Sequence, residues 1–353
     1  MVNLDQLKQQ LAELKLAEPK LRNRDLANRL GISELTLISL SVGKHVTLLS
    51  GDWKELLVEM KSMGYVMALT RNEHCVHERK GVYDNIEFYG GPHNMGVAVN
   101  PDIDLRFFMN QWAYGLAVIM DRGKMGKLFA FQFFNDRGEA VHKIYSTPNS
   151  DIAAYHQLVE KYKAEKQMPI LEVNTDPIPA KTHTPDEEID QEGFRQAWKD
   201  LKDTHDFFGM LRKYKVNRIQ GFRLAPEGYT QKIDNQAVVR TLEQASEQKV
   251  PIMCFVHSKG CIQIHSGPIK HLKFFGEWYN ILDKAFNLHL NLQGVAETWI
   301  VKKPTVDGMV TSLELFDANG DLIVYFFGAR KPGKPELPEW RAIIENVDLV
   351  ARM

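Results

Sequence analysis

The chain has 353 residues, 44% hydrophobic and 25% charged, and its 44 basic and 45 acidic residues leave a formal net charge of −1. That is ordinary globular composition, and the length suffices for two domains with sizeable cores. A chain that lives on nucleic acid or anionic lipid shows a stronger basic excess, so neither is an expected partner.

The chain opens on a charged helical pattern, MVNLDQLKQQLAELKL, without the continuous apolar stretch of a signal peptide. No run reaches the ~18 apolar residues of a membrane helix. The cysteines Cys75, Cys254 and Cys261 lack metal-site spacing. These features predict a cytoplasmic protein in a reducing compartment, with no membrane insertion.

A helical opening is expected over Leu4 to Ser41. Within it, Arg24 to Leu37 has the Ala…Gly spacing of a helix-turn-helix. The would-be recognition helix, Ser33 to Leu40, carries no Arg, Lys, Asn or Gln to reach base edges, so packing is the better reading. A further helix follows from Trp53 to Met63, and then a series of strands. His77, in Cys75-Val-His-Glu-Arg-Lys-Gly, has only His74 beside it and reads as an incidental strand histidine. In Ile103-Asp-Leu-Arg-Phe-Phe, alternation sends Ile103, Leu105 and Phe107 to one face and Asp104, Arg106 and Phe108 to the other. Arg106 there suits either a pocket wall or a solvated face with a salt bridge to Asp104. Leu128 to Phe134, the turn Asn135 to Gly138, and Ala140 to Tyr145 make a hairpin.

Pro169, Pro177, Pro179 and Pro185 among acidic and Thr residues mark 169–190 as a linker, separating domains 1–168 and 191–353. Beyond it the same order of elements recurs: helices over Phe194 to Tyr214, a helix over Asn235 to Gln248, and strands ending in the hairpin Ser312 to Phe316, Asp317 to Gly320, Leu322 to Phe327. The sequences match as well. Val66 to Cys75 pairs with Ile252 to Cys261 at an offset of 186, and Phe133-Phe134-Asn135 with Leu315-Phe316-Asp317 at 182. A long repeat with little drift is a duplicated domain. Strands joined by short turns make antiparallel sheet, so the expected class is α+β, a tandem duplication of a sheet flanked by helices.

No P-loop, GxGxxG, HExxH or GxSxG occurs, and no flavin or nicotinamide site is recognised. Isolated residues remain. His205 lies in Leu201-Lys-Asp-Thr-His-Asp-Phe-Phe, where Asp203 or Thr204 would cap a helix. Aligning Leu14-Lys15 with Leu201-Lys202 sets Glu18 opposite His205, so the imidazole is not a shared feature of the duplication. Arg218, Lys303 and Arg330 are cations on three separate elements, each an ordinary surface charge by itself.

Taken together, several stretches resemble the HemS/ChuS/PhuS family of cytoplasmic haemin-degrading or haemin transport proteins. They are Leu21-Arg-Asn-Arg-Asp with Leu30-Gly-Ile-Ser, Thr70-Arg-Asn-Glu-His-Cys-Val-His-Glu, and Ile103-Asp-Leu-Arg. In the second half they are Asp203-Thr-His-Asp-Phe-Phe, Gln263-Ile-His-Ser-Gly-Pro, Phe286-Asn-Leu-His-Leu, and Gly328-Ala-Arg-Lys-Pro-Gly. The resemblance implies two stacked copies of a helix-flanked sheet holding haem b as substrate or cargo. It implies His205 as the iron ligand, Arg106 as a distal residue acting on an iron-bound water or oxidant, and Phe108 as an aromatic near the macrocycle. Arg218, Lys303 and Arg330 match its propionate-binding cations. The absence of CxxCH makes attachment non-covalent. Where the family often has Tyr, this chain has Phe327, so a hydroxyl is lost. Implied partners are a haem importer, a reductase or a haem oxygenase, for an oxidative haem degrader or alternatively a haem chaperone. His205 and Arg218 are 13 residues apart, about 220° around an ideal helix, so the chain must turn over Lys213 to Asn217 for them to converge.

Overall fold

The structure, a computed structural model, describes residues 4–91, 94–178, 184–330 and 333–352. Pro179 of the expected linker, and Lys331 and Pro332 of the last motif, lie outside the described residues. The first half runs α1 (Leu4–Ala17), α2 (Asn23–Leu30), α3 (Glu34–Ser39), β1 (Val46–Leu49) and α4 (Trp53–Glu59). Strands β2 (Gly64–Arg71), β3 (Cys75–Val82), β4 (Ile86–Phe88), β5 (Met95–Val99) and β6 (Asp104–Phe108) follow. It closes with β7 (Tyr114–Asp121), β8 (Lys127–Phe134), β9 (Ala140–Ser150) and α5 (Ile152–Tyr162).

The second half repeats this order. It has α6 (Gln191–Lys199), α7 (Asp206–Lys213), α8 (Arg218–Leu224), β10 (Thr230–Ile233) and α9 (Ala237–Glu247). Next come β11 (Ile252–His257), β12 (Cys261–Gly267), β13 (Leu272–Phe275), β14 (Trp278–Leu282) and β15 (Phe286–Asn291). The last elements are β16 (Glu297–Thr305), β17 (Gly308–Phe316), β18 (Leu322–Gly328) and α10 (Pro338–Arg352).

Two nine-stranded sheets result, ordered β1-β7-β8-β9-β2-β3-β15-β14-β13 and β10-β16-β17-β18-β11-β12-β6-β5-β4. Exchanging each strand for its counterpart converts one order into the other, as a duplication requires. The compact units are not the two sequence halves. One comprises 1–71, 78–177 and 257–263; the other comprises 72–77, 178–256 and 264–353.

Both copies fold by the same local chemistry. The Asn135 side chain accepts from the N–H groups of Arg137 and Glu139, and that of Asp317 from Asn319 and Asp321. Gly138 and Gly320 sit at φ 74° and 72°, the left-handed region that turn geometry demands and side chains resist. A register shift precedes each turn, at Phe133/Phe134 and Leu315/Phe316.

Alternation along the strands gives each unit two buried faces. In the second unit, Leu313, Leu315, Val324 and Phe326 pack with Val238, Leu242, Trp340 and Ile343 of α9 and α10. Trp299, Val301 and Phe316 point the other way, against Phe194, Trp198, Phe207 and Phe222 of α6 to α8. The first unit packs α1 to α3 on Leu116, Val118 and Phe134, with α4 and α5 on the opposite face. Residues Leu35 to Ser39 of the would-be recognition helix are buried in that packing.

Candidate functional site

α7 and α8 carry two of the expected site residues, His205 at the cap of α7 and Arg218 at the start of α8. Trp198 Nε1 donates to the Lys302 carbonyl at 3.0 Å, and the Val306 N–H donates to that of Lys202 at 3.0 Å. These bonds fix the 200–205 loop beside the β16–β17 hairpin. The chain then reverses between α7 and α8, with Lys215 at φ 56°. The start of α8 is set by a capping box in which Asn217 accepts from Gln220 N and the Gln220 side chain reaches back. Arg218 is thereby placed at the first position of α8, on the sheet.

His205 is itself the N-cap residue of α7 and its side chain caps nothing, so the expected cap at Asp203 or Thr204 is corrected. Asp203 is engaged elsewhere. Its Oδ1 accepts from the His205 N–H at 2.8 Å and pairs with His205 Nδ1 at 2.6 Å. The backbone N–H of His205 is the chief cause that holds the Asp203 carboxyl below its usual range. An ionised carboxylate only accepts, so Nδ1 carries the proton and Nε2 of a neutral ring keeps its lone pair. The imidazole is 90% exposed.

The Glu18 alignment is also corrected. Ile32 N–H bonds to the Ala27 carbonyl as Val216 N–H does to Leu211, and Gly31 to Asn28 as Lys215 to Arg212. That register sets Leu21 opposite His205, so the first half has no imidazole there.

Beneath α7 lies a buried charge cluster. Glu314, fully buried on β17, accepts from Arg218 Nε, Lys303 Nζ and Ser312 Oγ, each at 2.7 Å. Burial opposes its ionisation, but Arg218 and then Lys303 outweigh that and bring the carboxyl down to about 2. Burial pulls the Lys303 ammonium down to about 8, although Glu314 resists it. Burial opposes the Arg218 charge too, and Glu314 overcomes it, raising that group. Buried ions cost several kcal/mol each in desolvation, and two cations on one carboxylate offset this while leaving a net positive cluster.

An aromatic wall surrounds these charges. Arg218 Cζ lies 5.0–5.6 Å from the ring centres of Phe207, Phe208 and Tyr325, and Lys303 Nζ lies 4.6 Å from Phe207 and 5.8 Å from Phe327. Phe255 stacks on Tyr325 at 4.6 Å. Phe327 follows Tyr325 on the same face of β18, so a phenol remains two residues from the family hydroxyl position. Arg330 Nη1 is 3.7 Å from Asp307 Oδ2, and its charge acts on Asp203. Arg218 Nη1 and Arg330 Nη1 are both buried without a hydrogen-bond partner.

In the first unit Arg106 and Phe108 share a face of β6 with Asp104, while Leu105 and Phe107 are buried. Arg106 Nη1 pairs with Asp104 and donates to the Leu105 carbonyl at 3.1 Å. Burial raises the Asp104 carboxyl despite that arginine. The counterpart of Arg106 in the second half, His289, bonds Asn280 through Nδ1 at 2.6 Å. His77 is fully buried on β3, 5.0 Å from the Phe286 ring. Among the described residues no group of three or more His, Cys, Asp or Glu is arranged to hold a metal ion, and no helix is long and apolar enough to cross a membrane.

The tandem sheet-and-helix fold is that of a known class of proteins. The Haemin-degrading HemS.ChuX domain matches residues 31–162 and again 215–347, so the chain belongs to that family. The chain is 35% identical to the hemin transport protein HmuS of Yersinia pestis, over 98% of this chain and 99% of that one. It is 42% identical to holo-PhuS, a heme-binding protein from Pseudomonas aeruginosa, with TM-score 0.92 over 98% and 99% of the two chains. ChuS, described as an E. coli heme oxygenase, is 33% identical with TM-score 0.85 over 97% and 99%.

Proposed function

We propose that this chain binds haem non-covalently through its second half, with His205 Nε2 as the iron ligand, and degrades it oxidatively in the cytosol to release iron. The observation that carries the reading is the pair of buried guanidinium nitrogens without hydrogen-bond partners on Arg218 and Arg330, in the same half as the exposed His205 imidazole. Such donors suit the carboxylates of an amphipathic ligand, and the aromatic wall suits its flat apolar body. Arg218, Lys303 and Arg330 supply positive potential for two propionates. Asp203 fixes the His205 tautomer and leaves Nε2 to serve as the ligand atom. Arg106 is assigned to the distal side, where it orients the oxidant, and Phe108 to a contact with the macrocycle. Haem brings the redox chemistry, and electrons come from an external reductase.

The second reading is a carrier that takes haem from an importer and passes it to a separate haem oxygenase. The exposure of His205, 90%, favours it, because an open ligand suits handover. Incubating the ferric complex with a reductase, NADPH and oxygen in the presence of catalase separates the two. The degradation reading expects loss of the Soret band with iron release, slowed at least about tenfold in Arg106→Ala while binding changes little. Haem that persists until an oxygenase is added would leave the carrier reading in place.

A further inference from the structure

The surface that carries the candidate site recurs in the first unit with its chemistry replaced. The helix register that sets Leu21 opposite His205 sets Asn23 and Arg24 opposite Phe207 and Phe208. Strand register sets Leu69, Lys143 and Tyr145 opposite Phe255, Tyr325 and Phe327. Apart from Tyr145 the aromatic wall is gone, and with it the flat apolar surface that suits a macrocycle. Cations stand in its place. Leu69 pairs with Lys143 across β2 and β9, so Arg71, two residues beyond Leu69, lies on the sheet face that carries Lys143. α2 and α3 pack on that face and bring Arg24 and Glu34 to it.

Lys143 and Glu34 are nearly buried and joined at 2.5 Å, and Arg24 and Arg71 are half-buried. Burial and then the charge of Arg71 pull the Arg24 guanidinium down to about 10. Burial lowers Arg71 too, although Glu34 and Asp25 oppose it. Three cations thus meet one nearly buried carboxylate, with Asp25 exposed on α2, and a bound anion would neutralise the excess. A second feature of the same face indicates which anion. Gln132, the cross-strand neighbour of Lys143, is 2% exposed, and its Oε1 is buried without a hydrogen-bond partner. A buried acceptor in a cationic setting calls for a ligand that carries a proton as well as negative charge.

We propose that the first unit holds a second, iron-free ligand site, an oxyanion pocket in which Arg24, Arg71 and Lys143 bind hydrogen phosphate and Gln132 accepts from its P–O–H group. The guanidinium groups supply forked donors to the tetrahedral oxygens, and Lys143 a point charge shared with Glu34. Sulfate matches the shape and charge but has no proton to donate, and a phosphate monoester has lost its proton at about pH 8. Both leave the Gln132 acceptor unmet.

The test is calorimetric titration of the full chain at about pH 8 with inorganic phosphate, sulfate and methyl phosphate. Wild type should bind phosphate at least about tenfold more tightly than either of the others. Arg24→Gln and Arg71→Gln should each weaken phosphate at least about tenfold, the value of one charge-assisted hydrogen bond. Gln132→Met should bring phosphate and sulfate within about twofold of one another. Arg218→Ala, in the second unit, should leave phosphate binding unchanged. Circular dichroism checks that each variant is folded, and the comparison of the three anions in wild type needs no variant. Equal affinity for phosphate and sulfate in wild type, or no phosphate binding at all, would overturn the proposal. A loss in Arg218→Ala matching that in Arg24→Gln would overturn it as well, by placing the anion in the second unit. None of these outcomes depends on whether the chain binds haem.

Discussion

The two copies put opposite charges at the same place. Cross-strand register makes Gln132 and Lys143 the counterparts of Glu314 and Tyr325, and the first residue after the cap is Glu34 on α3 but Arg218 on α8. In the first copy the helix brings the acid and strand β9 the cation, Lys143 to Glu34 at 2.5 Å. In the second the helix brings a cation and strand β17 the acid, with Lys303 added from β16. The backbone is repeated and the charge is inverted. Asymmetry of function in this fold therefore comes from a few side chains at a conserved helix start, with no change of topology.

That contrast can be broken experimentally. The largest effect is expected from Lys143→Met, which removes the hydrogen-bonded cation from the nearly buried Glu34 carboxylate. Denaturant unfolding should show a loss of about 3 kcal/mol, with the haemin spectrum unchanged. A spectrum that moved with this variant would mean the first copy's ion pair serves the ligand site as well.

A smaller effect follows from pH. Glu314 is lowered from 4.5 to about 2, and Glu34 is lowered as well, because its burial is outweighed by Lys143. Their stabilisation is complete above the ordinary carboxylate value and is lost as pH falls toward the folded one. For Glu314 the drop should be about 2 kcal/mol between pH 5 and pH 3, and Glu34 adds a loss of the same sign. Lys303 gives a slope of the same sign at higher pH: its ammonium is lowered from 10.5 to about 8, so between those values the unfolded chain binds more protons and stability rises with pH. Glu314→Gln should flatten the acid limb relative to wild type, and an unchanged limb would contradict the assignment.

Much of this was legible in the sequence. Asn135 and Asp317 announce their hairpins through the side-chain turns that both go on to make, and the repeat follows from matching them. The alternation at Ile103 to Phe108 separates buried from half-buried residues as β6 does. The reading of each half stops short of α5 and α10, although Asp151 caps the first by accepting from Ala154 N–H and Pro338 begins the second. Contacts between distant residues left weaker signals. Glu314 is one acid in an apolar strand, a cue to a buried partner, but which cations it meets depends on three elements. Asp203 reads as a helix cap by type, and only the geometry shows it serving the histidine instead. The grouping of the segments 72–77 and 257–263 with the opposite half has no signal in the sequence, although both stretches are part of the repeat.

The most direct measurement for the central claim is a haemin titration of His205→Ala against wild type, followed through the Soret band. The account predicts a shifted band and affinity weaker by at least about tenfold in the variant, while His77→Ala keeps the wild-type spectrum. An unchanged band and affinity in His205→Ala would show that the iron is held elsewhere.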